Sequence, residues 1–481
     1  MSARPVQVTH RSLSSFDSSI FDKDIKVSGI SINAAHVMKG DIFVALAGSK
    51  THGANFVDLA VKNGAVAVLS DKALDLSIPS FIHPSPREIL GDLSAWIYEK
   101  PFTKLTAVGI TGTNGKTTTS NILNQIWKLS GFKSGLIGTL GVEVGNDSLA
   151  GIRTTPEADE LQALAALMVS KDLSHLVMEV SSHGLDQLRI QGAKFKVVGF
   201  SNLTQDHLDY HGDMARYADA KARLFSWPSL RHAVINLDDD YGQDLAQRLS
   251  VRADLDLWTV GIADHPKVAT TQARLSARDV KSTARGTEFM LVEGEQQHQV
   301  DAPVVGLFNV SNLLCAAATL RAQGIALADI ATAMVRVAGV PGRLERVNLA
   351  PQVPAVFIDY AHTPDAVQKT LEALVPITQA RGGKLWCVLG CGGDRDKTKR
   401  APIAVAAYER SDHLVVTSDN PRSEEPVAII DDMLAGLEQN GLTDKPIHTI
   451  VQRETAIATT VTRANAADVV LIAGKGHESG Q

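Results

Sequence analysis

The sequence predicts an α/β protein of three domains, and three observations carry that expectation. Short apolar, β-branched runs alternate with helical segments, the pattern of a mainly parallel sheet. One such run, LTAVGIT at 105–111, leads directly into a glycine-rich loop and then a helix. The 481 residues also match about three domains at ~150 residues each.

Each region supplies its own elements. Residues 1–100 hold apolar runs at 42–45 and 65–69 between turn residues and read as a small N-terminal α/β domain. Pro101 disfavours helix at the residue before it and marks a linker. Residues 101–338 form the central domain, with strands expected at 105–111, 176–180, 197–200 and 233–235. The helix after the glycine loop places Ile122, Leu123, Ile126 and Trp127 on one stripe and stops near Gly131. The polar stretch 267–300 alternates residue types and reads as an antiparallel excursion. Residues 339–481, opening at Val340-Pro341-Gly342, form a C-terminal Rossmann-like unit with strands at 355–358, 385–389, 414–417 and 469–473.

Composition narrows the function. Hydrophobic residues make up 44% and charged residues 21%, which is ordinary globular usage. No run approaches the ~18 apolar residues of a membrane span. The opening MSARPVQVTHRSL lacks the apolar core of a signal peptide, so a cytoplasmic address with no membrane partner is expected. The net charge of −6 argues against a general nucleic-acid binder, so any anionic ligand must be held by local positive groups. Cys315, Cys387 and Cys391 make no disulfide framework. Cys387 and Cys391 have no second Cys or His pair nearby and read as buried thiols rather than a zinc site.

The strongest local signal is Thr111-Gly112-Thr113-Asn114-Gly115-Lys116-Thr117-Thr118. Glycines let backbone N–H groups turn inward around an anion, and the helix that follows adds its N-terminal dipole. Lys116 would reach the terminal phosphates and Thr117 Oγ would ligate Mg²⁺. Ile110 stands where the usual phosphate loop has its first glycine, so the match is to a GxxGK[ST] variant. ATP and Mg²⁺ are therefore the expected cofactors.

Three further residues have competing readings. Glu179 ends the apolar run LVMEV, where it either faces a ligand crevice and holds Mg²⁺ or caps the next helix. In NLTQDHLDYHG two His and two Asp crowd together; His207 reads as a metal or water ligand, and His211 reads equally well as a surface residue. Lys221, from spacing alone, sits on an amphipathic helix as a solvated lysine.

Together the segments TGTNGKTTT, MEVSSHGLDQLRI, NLTQDHLDYHGDM, GLFNVSNLLCAAATL, GVPGRLERV, DYAHTPDA, GCGGDRDKTKR, SDNPRSEEP and AGKGHE resemble the Mur ligase family over nearly the whole chain. The resemblance implies an ATP-dependent amide-bond ligase that adds an amino acid to a UDP-linked muramoyl peptide through an acyl phosphate. It implies ATP contacts at Gly112, Thr113, Asn114, Gly115, Lys116, Thr117, Thr118, Asn309, Asn312, Arg343 and Asp359. It assigns catalysis to Lys116, Glu179, His207 and Lys221, and metal binding to Thr117, Glu179, His207 and Lys221. It makes Lys221 an N6-carboxylysine, an amine plus CO₂ turned into an anion that can face Mg²⁺.

For the UDP-muramoyl dipeptide the resemblance points to Ile30, Ser49, Lys50, Thr51, Thr154, Thr155, Ser181, Gln187 and Arg189. This chain departs from the family at Ser31-Ile32-Asn33, where relatives commonly read Asp-Ser-Arg, and at His52, where an Asp is usual. For the amino acid it points to Arg395, Asp419, Asn420, Pro421, Arg422, Gly474 and Glu478. The form Asp-Asn-Pro-Arg goes with meso-diaminopimelate, whose distal carboxylate a guanidinium can grip and whose place in lysine is taken by an ammonium alone. Alternatives are a sibling ligase using lysine or another amino acid, against which Asp-Asn-Pro-Arg and Gly-Lys-Gly-His-Glu argue, and a non-catalytic nucleotide-binding homologue. The expected partners are small-molecule substrates, the expected state is a monomer, and the family's further strand and helix beyond Gly-Lys-Gly-His-Glu are expected to be missing at this end. Lys116→Ala is expected to abolish turnover through lost phosphate stabilisation; ADP release at a near-normal rate would refute the phosphate-loop assignment.

Overall fold

The computed structural model describes residues 4–5, 8–48, 51–151, 153–263, 273–283, 286–347 and 352–478. The α/β class is as expected, and the chain divides into two compact units: 1–111, 131–198 and 220–231 form one; 112–130, 199–219 and 232–481 form the other.

The first unit begins with a parallel four-stranded sheet, Gly29–Ser31, Asp41–Ala45, Ala67–Ser70 and Ser80–Ile82 in spatial order. Asp41–Ala45 and Ala67–Ser70 are buried throughout, which explains their continuous apolar sequence. Helix Pro86–Ile97 starts on a proline, whose missing N–H costs nothing at that position, and packs Leu90, Leu93 and Ile97 into the same core. The expected linker is a buried turn: Lys100 is left-handed and Pro101–Thr103 forms a short 3-10 helix with Pro101 and Phe102 buried. The unit continues with strands Thr106–Thr111, His175–Glu179 and Ser134–Gly138, mutually parallel, edged by an antiparallel hairpin of Gly141–Val144 and Asp147–Leu149.

The second unit holds helix Lys116–Leu129, in which Ile122, Leu123, Ile126 and Trp127 are all buried. Gly131, at φ +83°, follows the helix cap as expected. Strands His232–Asn236, Asp256–Ile262 and Leu275–Thr283 run parallel, and Gly286–Glu293 and Gln296–Ala302 add the antiparallel excursion. Of the stretch 267–300, residues 267–272 and 284–285 lie outside the described residues.

The C-terminal part of this unit is a six-stranded sheet ordered Glu345–Val347, Ala355–Asp359, Val469–Ala473, Leu385–Leu389, His413–Val416, Ile447–Thr449. Only its first pairing is antiparallel. In such a sheet ligands bind beyond the carboxyl ends of the strands. Those ends lead into 359–362, 474–478, 390–395 and 417–422, the segments that carry the expected amino-acid residues. Cys387 and Cys391 are buried with their thiols pushed up to about 12 by desolvation, so they are packing residues.

At the opposite end a buried carboxylate ties the sheet together. Asp468 accepts the Lys384 N–H at 2.8 Å, the Asn465 N–H at 2.9 Å and the Trp386 indole N–H at 3.0 Å. Asp468→Ala would leave three donors without their acceptor. A loss of about 2–3 kcal/mol in denaturant unfolding is expected; a loss within ~0.5 kcal/mol, the usual surface effect, would refute the role.

Candidate functional site

The glycine loop is held by one neighbouring segment of the second unit. The Asn114 carbonyl accepts the Ser201 hydroxyl at 2.5 Å and the Asn202 amide at 3.1 Å, while the Asn114 N–H donates to Asn202 Oδ1 at 2.9 Å. Thr113 donates its N–H to Asn202 O at 2.8 Å, and its hydroxyl lies 3.1 Å from both Thr204 O and the Tyr217 hydroxyl. Gly112 has φ +147° and a Cβ there would fall 2.0 Å from Ser201 Oγ; Gly115 has φ +84° and a Cβ would fall 2.3 Å from Asn312 Oδ1. Only glycine fits either position.

Lys116 and Thr117 open the helix from this loop. Lys116 Nζ donates to Gly112 O at 2.9 Å and Thr113 O at 2.8 Å, so its charge lies over the loop. Thr117 Oγ1 accepts from Arg343 Nη2 at 3.1 Å. Arg343 also stacks on the Tyr360 ring at 4.5 Å. Asn312 donates to Asn309 Oδ1 at 3.2 Å, and both are buried. Asp359 accepts the Leu344 and Ala361 N–H groups at 2.6 and 2.7 Å; burial raises its carboxyl pKa, opposed by Arg343 and those bonds. Beside the helix lies a cavity of about 490 Å³, bounded by Thr118, Ile122, Pro303, Asn309, Arg343 and Phe357 among others. Sequence reading missed Ser201, Asn202, Thr204 and Tyr217 as supports, because no spacing rule links a loop to residues so far along the chain.

His207 adopts a left-handed backbone at φ +54°. Its neighbour Asp206 accepts the His207 N–H at 2.9 Å and Lys399 Nζ at 2.5 Å. Burial alone would raise the Asp206 carboxyl; His207, His362 and Lys399 outweigh it and hold the group well below the usual range. His211 is buried against Tyr217, ring centroids 5.2 Å apart, which corrects the surface reading.

Glu179 and Lys221 belong to the first unit, and both are buried. Glu179 does not cap the next helix: Ser181 does, accepting the Gly184 N–H at 3.1 Å. The Glu179 carboxylate instead accepts the Thr139 N–H at 2.8 Å and hydroxyl at 3.0 Å. Lys221 is 1% exposed, so the solvated reading fails. Among the described residues no group of three or more His, Cys, Asp and Glu side chains is placed to hold a metal. Mg²⁺ commonly keeps several waters and takes its remaining oxygens from one or two carboxylates and substrate phosphates, so a site for it needs no such cluster.

The expected dipeptide residues largely converge. The Thr155 hydroxyl donates to Glu179 O at 2.9 Å and lies 3.1 Å from Ser181 Oγ; Thr154 and Thr139 hydroxyls are 3.0 Å apart. Arg189 donates to Thr155 O at 3.2 Å and Gln187 Oε1 at 2.6 Å, and pairs with the buried Glu157 at 3.1 Å. Ser49 and Lys50 lie outside the described residues. Thr51 is exposed and accepts the Asn55 amide at 3.0 Å. The side chain of Ile30 is buried and its carbonyl accepts Arg4 Nη2 at 3.0 Å, so the structure gives this residue a packing role. His52 caps the 3-10 helix Gly53–Phe56 through Nδ1 and meets Asp71 through Nε2 at 2.8 Å, so it serves locally as a carboxylate would at that cap.

At the C-terminal sheet, Arg422 has φ +51° and donates to Gly393 O at 2.7 Å. Gly393 N–H returns a bond to Asn420 O at 2.9 Å. Glu424 accepts the Asp394 N–H at 2.7 Å, Arg400 at 2.8 Å and Lys397 at 2.9 Å, fastening the loop that carries Arg395 to the one that carries Arg422. A Cβ on Gly474 would lie 2.9 Å from Asp419 Oδ2. Glu478 accepts the Tyr360 hydroxyl at 3.1 Å, and burial followed by the Glu478 charge pushes that phenol up to about 12.

A glycine loop on a strand–helix junction, with a second α/β sheet presenting charged loops at its carboxyl edge, defines a phosphate-loop enzyme of modular α/β build. Models of the Mur ligase family, catalytic domain, the Mur ligase middle domain, and the Mur ligase, glutamate ligase domain match residues 26–99, 110–320 and 342–476. A UDP-N-acetylmuramoyl-L-alanyl-D-glutamate--2,6-diaminopimelate ligase of Streptomyces avermitilis is 41% identical over 96% of this chain and 90% of the relative. One of the same name from Chromobacterium violaceum is 40% identical over 95% and 91%. A solved structure of a ligase so named superposes with TM-score 0.69 at 32% identity, covering 98% of this chain and 95% of that one. A MurF structure from Acinetobacter baumannii shares the fold with TM-score 0.71 at 19% identity. The chain belongs to the Mur ligase family.

The altered Ser31-Ile32-Asn33 turn has its own support. Asp159, fully buried, accepts the Ile32 N–H at 3.0 Å, and burial raises its carboxyl to about 6. A raised carboxyl favours the folded state only while protonated, so stability falls as pH rises from about 4 to about 6 and stays lower above. Asp159→Asn keeps an acceptor for Ile32 without the charge. It is expected to raise the melting temperature at pH 7.5, reflecting up to about 3 kcal/mol, with the gain vanishing near pH 4. A gain independent of pH would refute this account.

Proposed function

We propose that this chain uses ATP to join meso-diaminopimelate to UDP-N-acetylmuramoyl-L-alanyl-D-glutamate, a cytoplasmic step that builds the peptidoglycan precursor. The observation that carries the reading is near-full-length identity of about 40% to relatives of that name, together with the fastened Asp419-Asn420-Pro421-Arg422 loop. Residues 1–100 hold the UDP substrate, 101–338 perform the phosphate chemistry and 339–481 deliver the amino acid, and the chain works as a monomer.

In this reading the terminal carboxylate of the dipeptide attacks the ATP γ-phosphate, giving an acyl phosphate and ADP. The amine of diaminopimelate then attacks the acyl carbon, and phosphate leaves from the tetrahedral intermediate. Lys116 and the N–H groups of 112–118 stabilise the charge spreading over the transferred phosphoryl group. The cavity beside Thr118 and Asn309 has room for the nucleotide base, with Asn312, Arg343 and Asp359 around the rest of the nucleotide. Thr117, Glu179, His207 and a carbamylated Lys221 would hold Mg²⁺, which when bound neutralises phosphate charge. Thr154, Thr155, Ser181, Gln187 and Arg189 orient the dipeptide, with further contacts from Ile30, Ser49, Lys50 and Thr51. Arg395 and Arg422 grip the distal carboxylate of diaminopimelate, Asp419 and Asn420 frame the same loop, and Glu478 meets the distal ammonium beside Gly474.

The reading is tested by ADP formation from purified UDP-muramoyl dipeptide with a panel of amino acids. Turnover with diaminopimelate and not lysine is expected; preference for lysine would favour the sibling ligase, and nucleotide binding without any turnover a non-catalytic homologue. Arg422→Ala is expected to raise the KM for diaminopimelate by about 1.5–3 kcal/mol of lost charged hydrogen bonding, and an unchanged KM would refute the grip. Lys221→Ala is expected to be rescued partly by short carboxylates. Rescue by ammonium instead would identify a plain amine as the working group.

A further inference from the structure

The amino-acid loop of the C-terminal sheet is tied in two directions. Arg400, almost fully buried, pairs with Glu424 at 2.8 Å and Asp432 at 2.7 Å and so anchors the loop within its own sheet. The adjacent Lys399 points elsewhere: its Nζ meets Asp206 Oδ1 at 2.5 Å. The two side chains are only 14% and 10% exposed and lie 193 residues apart in sequence. Asp206 also receives the main-chain N–H of His207, and Asn202 and Thr204 of the same segment bond to Asn114 and Thr113 of the phosphate loop.

One ion pair therefore connects the loop bearing Arg395 to the segment that braces the phosphate loop. Exposed pairs of this kind contribute little, but a pair this enclosed leaves an uncompensated charge when one partner is lost. Toward its own sheet Lys399 turns its main-chain N–H, which meets Asp396 O at 3.4 Å. Its side chain is thus committed to the long-range contact.

We propose that Lys399 is a positioning residue: through Asp206 it holds the amino-acid loop in register with the phosphate loop, so that the incoming amine is presented to the activated carboxylate. The inference rests on the ligase reading above and adds to it a residue outside the nucleotide and amino-acid sets named there.

The test is a double-mutant cycle of Lys399→Met and Asp206→Asn on the full chain, with Lys399→Arg as the conservative variant. It is read in steady-state kinetics and in the melting temperature of the ligand-free protein. Lys399→Met is expected to lower kcat about tenfold or more while the KM for UDP-muramoyl dipeptide stays within about twofold. The double variant should be no slower than Asp206→Asn alone, and Lys399→Arg should recover most of the rate. Multiplying kcat losses, or a Lys399→Met rate within about twofold of the parent, overturns the proposal. Coupled melting shifts with independent kcat losses mark the pair as merely structural and overturn it too. A parent enzyme inert with every amino acid is a different failure: it sinks the ligase reading, and the positioning role falls with it, while the melting cycle still reports whether the pair exists.

Discussion

The close approach of neighbouring residues to the backbone of the phosphate loop is the constraint on which the rest depends. Gly112 and Gly115 sit where a Cβ would meet Ser201 Oγ and Asn312 Oδ1 at well under van der Waals distance. With those two positions open, the loop can lie against 201–204, and Ser201 and Asn202 can both reach the Asn114 carbonyl. The loop is then a fixed frame rather than a mobile turn. Lys116 folds over it, Thr117 meets Arg343, and Asn312 packs on the helix start. Electrostatic stabilisation of a transferred phosphoryl group is effective when its donors are preorganised, because nothing has to reorganise as charge develops.

The C-terminal sheet solves a different problem with the same logic. Five parallel strands end at one edge, so the loops after them are neighbours although they are distant in sequence. Glu424 and Arg400 fasten two of these loops, and Gly474 allows the third to approach Asp419. A guanidinium held by a backbone carbonyl, as Arg422 is by Gly393 O, would lose less freedom on meeting a carboxylate under the proposed reading.

Buried polar groups are where local sequence reading fell short. Spacing placed Lys221 on a solvated helix face and left a surface reading open for His211 and a helix-cap reading open for Glu179. All three are buried, and Glu179 and His211 meet partners from other elements, Thr139 and Tyr217. Helical periodicity reports which face is apolar on average; it does not report whether one polar residue on a helix is covered by a distant segment. Family resemblance signalled Lys221 and Glu179, but Thr139, which bonds the Glu179 carboxylate, carries no local signature.

By itself the sequence determined the α/β class, the phosphate loop, the residues around Asp419-Asn420-Pro421-Arg422 and most strands of the parallel sheets, though not Gly29–Ser31, Ser80–Ile82, Ser134–Gly138, Asp256–Ile262 or Ile447–Thr449. Those features are written in short-range terms: continuous apolar runs, glycines before a helix, a proline turn. Tertiary structure decided which charges are buried, that Asp159 supports the altered Ser31-Ile32-Asn33 turn, and that Lys399 pairs with Asp206. The reason is physical. A strand or a loop is specified by adjacent residues, whereas the environment of an ionisable group is set by whichever elements fold against it, and no local pattern encodes those.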